Sequence, residues 1–124
     1  MAKKKIFVSF DFDHDKALKN EIVAKSQNPE APFKVSNWSM KPDDNDPKWN
    51  KEAKFRISRC DIMLVLAGEN THQAKGVQKE VQIARDAKMH IIQIKAQTDE
   101  ACPTVEFAGK QHDWTWDNLM KLLG

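Results

Sequence analysis

The sequence predicts an α/β domain, a short parallel sheet with helices packed on both faces. Three apolar, β-favouring runs, Ile6 to Phe10, Asp61 to Ala67 and His90 to Lys95, suit strands buried on both sides. The segments between them repeat their apolar residues at helical spacing. Strands that alternate with helices imply right-handed crossovers and hence parallel pairing. At 124 residues the chain holds a single domain, taken as residues 1–124. That size supports a layered core without disulfides or metals.

Ile6 to Phe10 opens the sheet, and the Asp11 to Asp15 segment breaks it, with Asp13 or Asp15 placed to cap the next helix. That helix is predicted over 16–26, its inner face marked by Leu18 and Ile22, and Asn28-Pro29 ends it. Phe33 to Trp38 is a weaker strand, and the run from Lys41 to Pro47 is a loop. A second helix is predicted over 48–59, with Pro47 near its first turn and Trp49, Ala53, Arg56 and Ile57 on one side. Asp61 to Ala67 is the clearest buried strand, closed by Gly68-Glu69-Asn70. A helix over 74–88 and a strand over 90–95 follow, then a loop with Pro103 and a short edge strand at Val105-Glu106-Phe107. Thr115 caps the last helix, whose stripe is Trp116, Leu119, Met120 and Leu123.

Composition narrows the function classes. Twenty basic against eighteen acidic residues leave a net charge of +2, which advertises neither a nucleic-acid nor a membrane partner. No stretch approaches the roughly 20 apolar residues of a membrane span, and the apolar run after Lys3, Lys4 and Lys5 is too short for a signal-peptide core. Cys60 and Cys102 lack metal-ligand spacing and form no disulfide framework. Reduced thiols suit a cytoplasmic protein, the expected location.

In open parallel sheets ligands bind beyond the carboxyl ends of the strands, so function is expected in the loops after Phe10, Asn37 and Ala67. One carboxylate there breaks the pattern. Projected at about 100° per residue, the 74–88 helix gathers Val77, Val81, Ala84 and Ala87 on one side, with Ile83 at its edge. Lys75, Gln78, Lys79, Gln82, Arg85 and Asp86 take the other, yet Glu80 lies inside the apolar stripe. In the second turn of a helix that starts at the ligand-binding rim, partial burial would raise its proton affinity and poise it for acid–base or electrostatic work. The alternative is a glutamate near a positive helix end that reaches past its neighbours to water.

At these residues a family resemblance enters. The segment from Lys4 to Asp15 resembles the first box of TIR-like domains, in particular the bacterial branch that includes the TIR proteins of Thoeris anti-phage systems. Arg56 to Gly68 resembles the family's arginine, aspartate, apolar-strand and glycine segment. Thr71-His72 with Val77-Gln78-Lys79-Glu80-Val81 resembles the third box, and Trp114 to Asn118 the tryptophan-rich start of the last helix. The resemblance implies a flavodoxin-like three-layer sandwich with a central parallel sheet of about five strands. It implies NAD as substrate rather than cofactor, Glu80 as the catalytic carboxylate, and an ADP-ribose-derived product, cyclic in the Thoeris group, acting as a signal on a downstream effector. Ser9, Phe10, Asp11 and Trp38 are then expected to line the pocket, with no metal. Self-association is expected if the pocket completes itself across subunits. Catalytic members carry a tryptophan four residues before the glutamate and a serine two before that, where this chain has Gly76 and Ala74. A reshaped pocket, another aromatic (Trp38 or Trp49), or a catalytically silent interaction or nucleotide-sensing module would each fit that departure.

Other chemistries fit less well. Asp11, Asp13 and Asp15 with His14 suggest a magnesium phosphotransferase, but the required second acidic pair is missing from any strand end, since Asp43-Asp44 lies in a proline-bounded loop. A response-regulator phosphoacceptor belongs at the carboxyl end of the third strand, and Asp61 is at its start. A flavodoxin-type phosphate loop needs small hydroxyl and glycine residues after the first strand, and the aspartates there would repel the phosphate. Trp38 can stack on a flat ring, Trp114 and Trp116 read as core, and His72 and His90 lack metal-partner spacing.

Overall fold

The computed structural model describes residues 3–40, 47–96 and 100–124. Five strands, β1 (Lys4–Ser9), β2 (Phe33–Trp38), β3 (Ile62–Ala67), β4 (His90–Lys95) and β5 (Gln111–His112), form one sheet of order β2-β1-β3-β4-β5. Every pairing is parallel. This is the doubly wound, flavodoxin-like order, in which the chain reverses direction across the sheet between β1 and β3 and opens a crevice there. The α-helices are α1 (Lys16–Ser26), α2 (Pro47–Ser58), α3 (Lys75–Asp86) and α4 (Trp116–Leu123).

The sheet separates two apolar cores. On one face Ile6, Val8, Phe10, Leu64 and Ile94 pack against Ile22 of α1 and Leu119 and Leu123 of α4. On the other, Phe7, Met63, Val65 and Ala67 meet Ile57 of α2 and Val77, Val81 and Ala84 of α3. All six residues of β3 are buried, which explains why its sequence carries no alternation. Trp49, Ala53 and Ile57 are the buried stripe of α2. At α4, Thr115 Oγ1 accepts the Asn118 N–H at 3.1 Å, and this cap sets the helix start.

Several details depart from the sequence reading. Val105 to Phe107 is not a strand; β5 lies at Gln111–His112 and pairs Gln93 and Ile94. The 105–109 segment replaces a helix on the α2/α3 face, where Val105 and Ala108 fill the core. Its backbone is held by one buried side chain: Gln93 Oε1 accepts the Val105 N–H at 2.8 Å, and Gln93 Nε2 donates to the Val105 and Gly109 carbonyls at 3.2 and 3.1 Å. Phe107 takes a left-handed backbone (φ 66) that no strand contains. Helix α3 stops at Asp86, so Ala87 is exposed beyond the core stripe. In α4 it is Leu122, not Met120, that joins Trp116, Leu119 and Leu123 against the core. Asp15 occupies the N-cap of α1, but its side chain caps nothing. The predicted loop over 41–46, including Asp43-Asp44, lies outside the described residues. Among the described residues no helix is long and apolar enough to cross a membrane.

Candidate functional site

Glu80 points inward. It is fully buried, as its place in the apolar stripe of α3 requires, with Gly76, Val77, Val81 and Ala84 buried around it. Two hydroxyls meet the same carboxyl oxygen: Ser9 Oγ donates to Oε1 at 2.8 Å and Ser39 Oγ donates to it at 2.6 Å. The other oxygen, Oε2, is buried and unpartnered among the described residues. Burial disfavours the charged form and the two serine bonds only partly offset it, so the pKa of Glu80 is pushed up to about 8. Among the described residues no charged side chain contributes to that shift. At neutral pH this carboxyl is therefore mostly protonated.

Strand geometry explains how three distant residues converge. Ser9 is the last residue of β1, and strand alternation puts it with Phe7 on the α2/α3 face. Ser39 follows β2, where Phe33 and Val35 face the other core. Unbroken alternation would send Ser39 that way too. The register shifts instead: Ile6 opposes Val35 but Phe7 opposes Asn37, leaving Ser36 as an extra residue. This bulge inverts the facing of everything after it. Asn37 then accepts from Arg56 Nη1 of α2 at 3.2 Å, Trp38 turns to α1 with Lys19 Nζ 4.6 Å from its ring centre, and Ser39 turns under α3. The Ser39 N–H continues the ladder to the Val8 carbonyl at 3.0 Å.

Above Glu80 a cleft of about 200 Å³ opens at the rim of β1. Its described walls are the 10–13 segment with Ser39 and Met40 on one side, and the 74–77 start of α3 on the other. The cleft lies at the switch point where such sheets take ligands. Larger surface hollows lie elsewhere, between α1 and α4 around Lys25 and Trp116. They hold no buried ionisable group.

Of the residues singled out from sequence, Ser9 and Glu80 are bonded to each other, and Phe10 and Asp11 line the cleft above them. Trp38 is not brought to this cleft; the bulge puts it on the α1 face, partly exposed. Trp49 is buried in α2, its ring under Lys79 Nζ at 5.5 Å. Gly76 lines the cleft wall, so the space there is shaped by backbone. Ser39 is the residue that reading the sequence missed.

The aspartates of the first loop diverge. Asp11 accepts the Asp13 N–H at 3.2 Å and meets His14 Nδ1 at 2.7 Å, a contact that raises the proton affinity of the histidine. Asp15 accepts from Thr71 Oγ1 at 3.1 Å, and Thr71 Oγ1 in turn accepts the Gly68 N–H at 2.7 Å, which ties the loops after β1 and β3 together. Burial raises the Asp15 pKa, opposed by the threonine bond. Among the described residues no group of three His, Cys, Asp or Glu side chains is arranged to hold a metal ion. Asp61 sits at the opposite end of the sheet, where it accepts the Lys5 N–H at 2.8 Å. Burial pushes the Cys60 thiol up to about 11, so it packs as a small apolar group.

A five-stranded parallel sheet of this order, with two-sided helix packing and an acid from α3 beneath the β1/β3 crevice, defines a flavodoxin-like domain of the TIR-like class. Residues 7–101 match the family described as the Thoeris protein ThsB, TIR-like domain, and the chain belongs to that family. No curated protein matches the chain in sequence.

Proposed function

We propose that this chain is a TIR-like NAD-cleaving enzyme, of the NAD nucleosidase or ADP-ribosyl cyclase type, that makes an ADP-ribose-derived signal in bacterial anti-phage defence. The observation that carries the reading is the buried Glu80 carboxyl, clamped by two hydroxyls directly beneath a cleft at the sheet's switch point. A carboxyl buried this way costs stability, and such groups cluster where chemistry needs them.

In NAD cleavage the bond between ribose C1′ and the nicotinamide nitrogen breaks, and both electrons leave with nicotinamide, which becomes neutral. Positive charge passes to C1′ and the ring oxygen. Water then adds and gives up a proton, or a nucleophile of the same molecule adds and closes a ring. Glu80 supplies the negative charge that stabilises the cation in a poorly solvated setting, where such charge acts most strongly. Its raised pKa means that it must first ionise. The chain needs no further cofactor for this chemistry, and its product would act on a downstream effector.

A silent interaction or nucleotide-sensing module is the second reading. Gly76, in place of an aromatic wall, and the complete burial of Glu80 favour it. Incubating the pure protein with NAD and resolving the products by chromatography separates the two. Free nicotinamide with an ADP-ribose-derived partner, lost in Glu80→Gln, supports the enzyme. Saturable NAD binding with no product at any protein concentration, including with the self-associated form, supports the module.

A further inference from the structure

The geometry points to Ser39 as the group through which Glu80 reaches a ligand, its oxygen accepting a ribose hydroxyl in the cleft while its proton binds the carboxylate. This rests on the NAD-cleaving reading and adds a residue to it. Glu80 is fully buried and is not among the residues lining the cleft, whereas Ser39 lines it and bonds Glu80 at 2.6 Å. A hydroxyl has one proton and two lone pairs. Ser39 directs its proton to Glu80 Oε1 at 2.6 Å, in preference to the Val8 carbonyl at 3.5 Å, and accepts the Phe10 N–H at 3.0 Å, which fixes the hydroxyl and leaves a second lone pair.

Ser9 provides the internal comparison. Its hydroxyl meets the same Oε1 at 2.8 Å, yet it is fully buried and is not among the cleft residues. Both serines hold the carboxylate, and only one of them also borders the ligand space. A ligand O–H donating to Ser39 Oγ would extend a chain of hydrogen bonds that ends on the carboxylate and strengthens when Glu80 ionises. Negative character on that ribose oxygen helps the cation form at the neighbouring C1′. No proton needs to be transferred in this step. Among the described residues, the charged groups bordering the cleft are Asp11 and Asp13 from the loop after β1 and Lys75 from α3. The β2 bulge is what makes the arrangement possible, because without Ser36 the Ser39 hydroxyl would face the other core.

The test compares Ser39→Ala with Ser9→Ala in two assays, nicotinamide release from NAD and the carbon-13 titration of the Glu80 carboxyl. Both substitutions remove a bond to Oε1, so both titrations should move to higher pH. At a pH above those midpoints, Ser39→Ala should still lower kcat about 100-fold, in the range for loss of one aimed hydrogen-bonding group, and Ser9→Ala only a few-fold. Equal losses there, or full activity in Ser39→Ala, would overturn the role of Ser39. If the native chain releases no nicotinamide, the NAD-cleaving reading fails and the second assay still decides. Added NAD should then shift the Glu80 titration in the native chain and in Ser9→Ala, and leave it in place in Ser39→Ala. Absence of a shift in the native chain, or the same shift in all three, would defeat the inference.

Discussion

Replacing Glu80 by glutamine should stabilise the protein, by an amount that grows as pH rises above about 4.5. The carboxyl has a pKa near 4.5 when solvated and about 8 in the fold. Between those values the unfolded chain releases a proton that the native state keeps, so native stability falls as pH rises. Below 4.5 both states are protonated and the burial costs nothing in ionisation; above 8 both are ionised and the loss is complete. At pH 7 the folded carboxyl is still mainly protonated, so at about 1.4 kcal/mol per pH unit folding forfeits roughly 3 kcal/mol. Glutamine keeps a carbonyl for Ser9 and Ser39 and puts its amide where Oε2 already lacks a described partner, so the exchange is close to neutral at low pH. The shifted titrations of His14 and Asp15 occur in both proteins and cancel. Urea unfolding of both proteins at pH 5, 6, 7 and 8 measures the difference. It should be small at pH 5 and grow to roughly 3 kcal/mol at pH 7. Parallel pH profiles would refute the burial argument, as would a native chain more stable than Glu80→Gln at pH 8.

Two further substitutions probe the scaffold around the site. A Cβ at Gly68 would stand 2.4 Å from Asp15 Oδ2, so Gly68→Ala should push Asp15 off Thr71. The expected cost is about 1–2 kcal/mol, read as a fall in Tm, and an unchanged Tm would show that the two loops are not tied through this contact. Gln93→Leu removes the side chain that anchors the 105–109 backbone, leaving the buried Val105 N–H without its partner. A loss of about 2–4 kcal/mol is expected, with faster proteolysis near Phe107. Equal protection in the two proteins would contradict that role.

The fold was legible because its signals are local. The buried runs of β1, β3 and β4 and the amphipathic α3 appear where apolar spacing puts them, and Glu80 stood out through helix geometry alone. What escaped depends on residues far apart in the chain. Ser39 enters the site through the extra residue at Ser36, and a one-residue bulge leaves no mark on composition or on the apolar pattern. The same bulge turns Trp38 away from the cleft, although its place next to the second strand's carboxyl end suggested the opposite. At 105–107 β-favouring residues suggested a strand, but the segment takes its hydrogen bonds from the Gln93 side chain. The true β5, two residues long, is too short to carry periodicity.

The most direct measurement is kcat/KM for nicotinamide release from NAD across pH 5.5 to 9. If ionised Glu80 carries the chemistry, the value rises about tenfold per pH unit and levels off near pH 8, where the free carboxyl ionises. Glu80→Gln should lie at least about 100-fold below the native plateau and show no such rise, so that the two profiles converge toward pH 5.5. A flat profile, or activity that persists in Glu80→Gln, would contradict the assignment of Glu80.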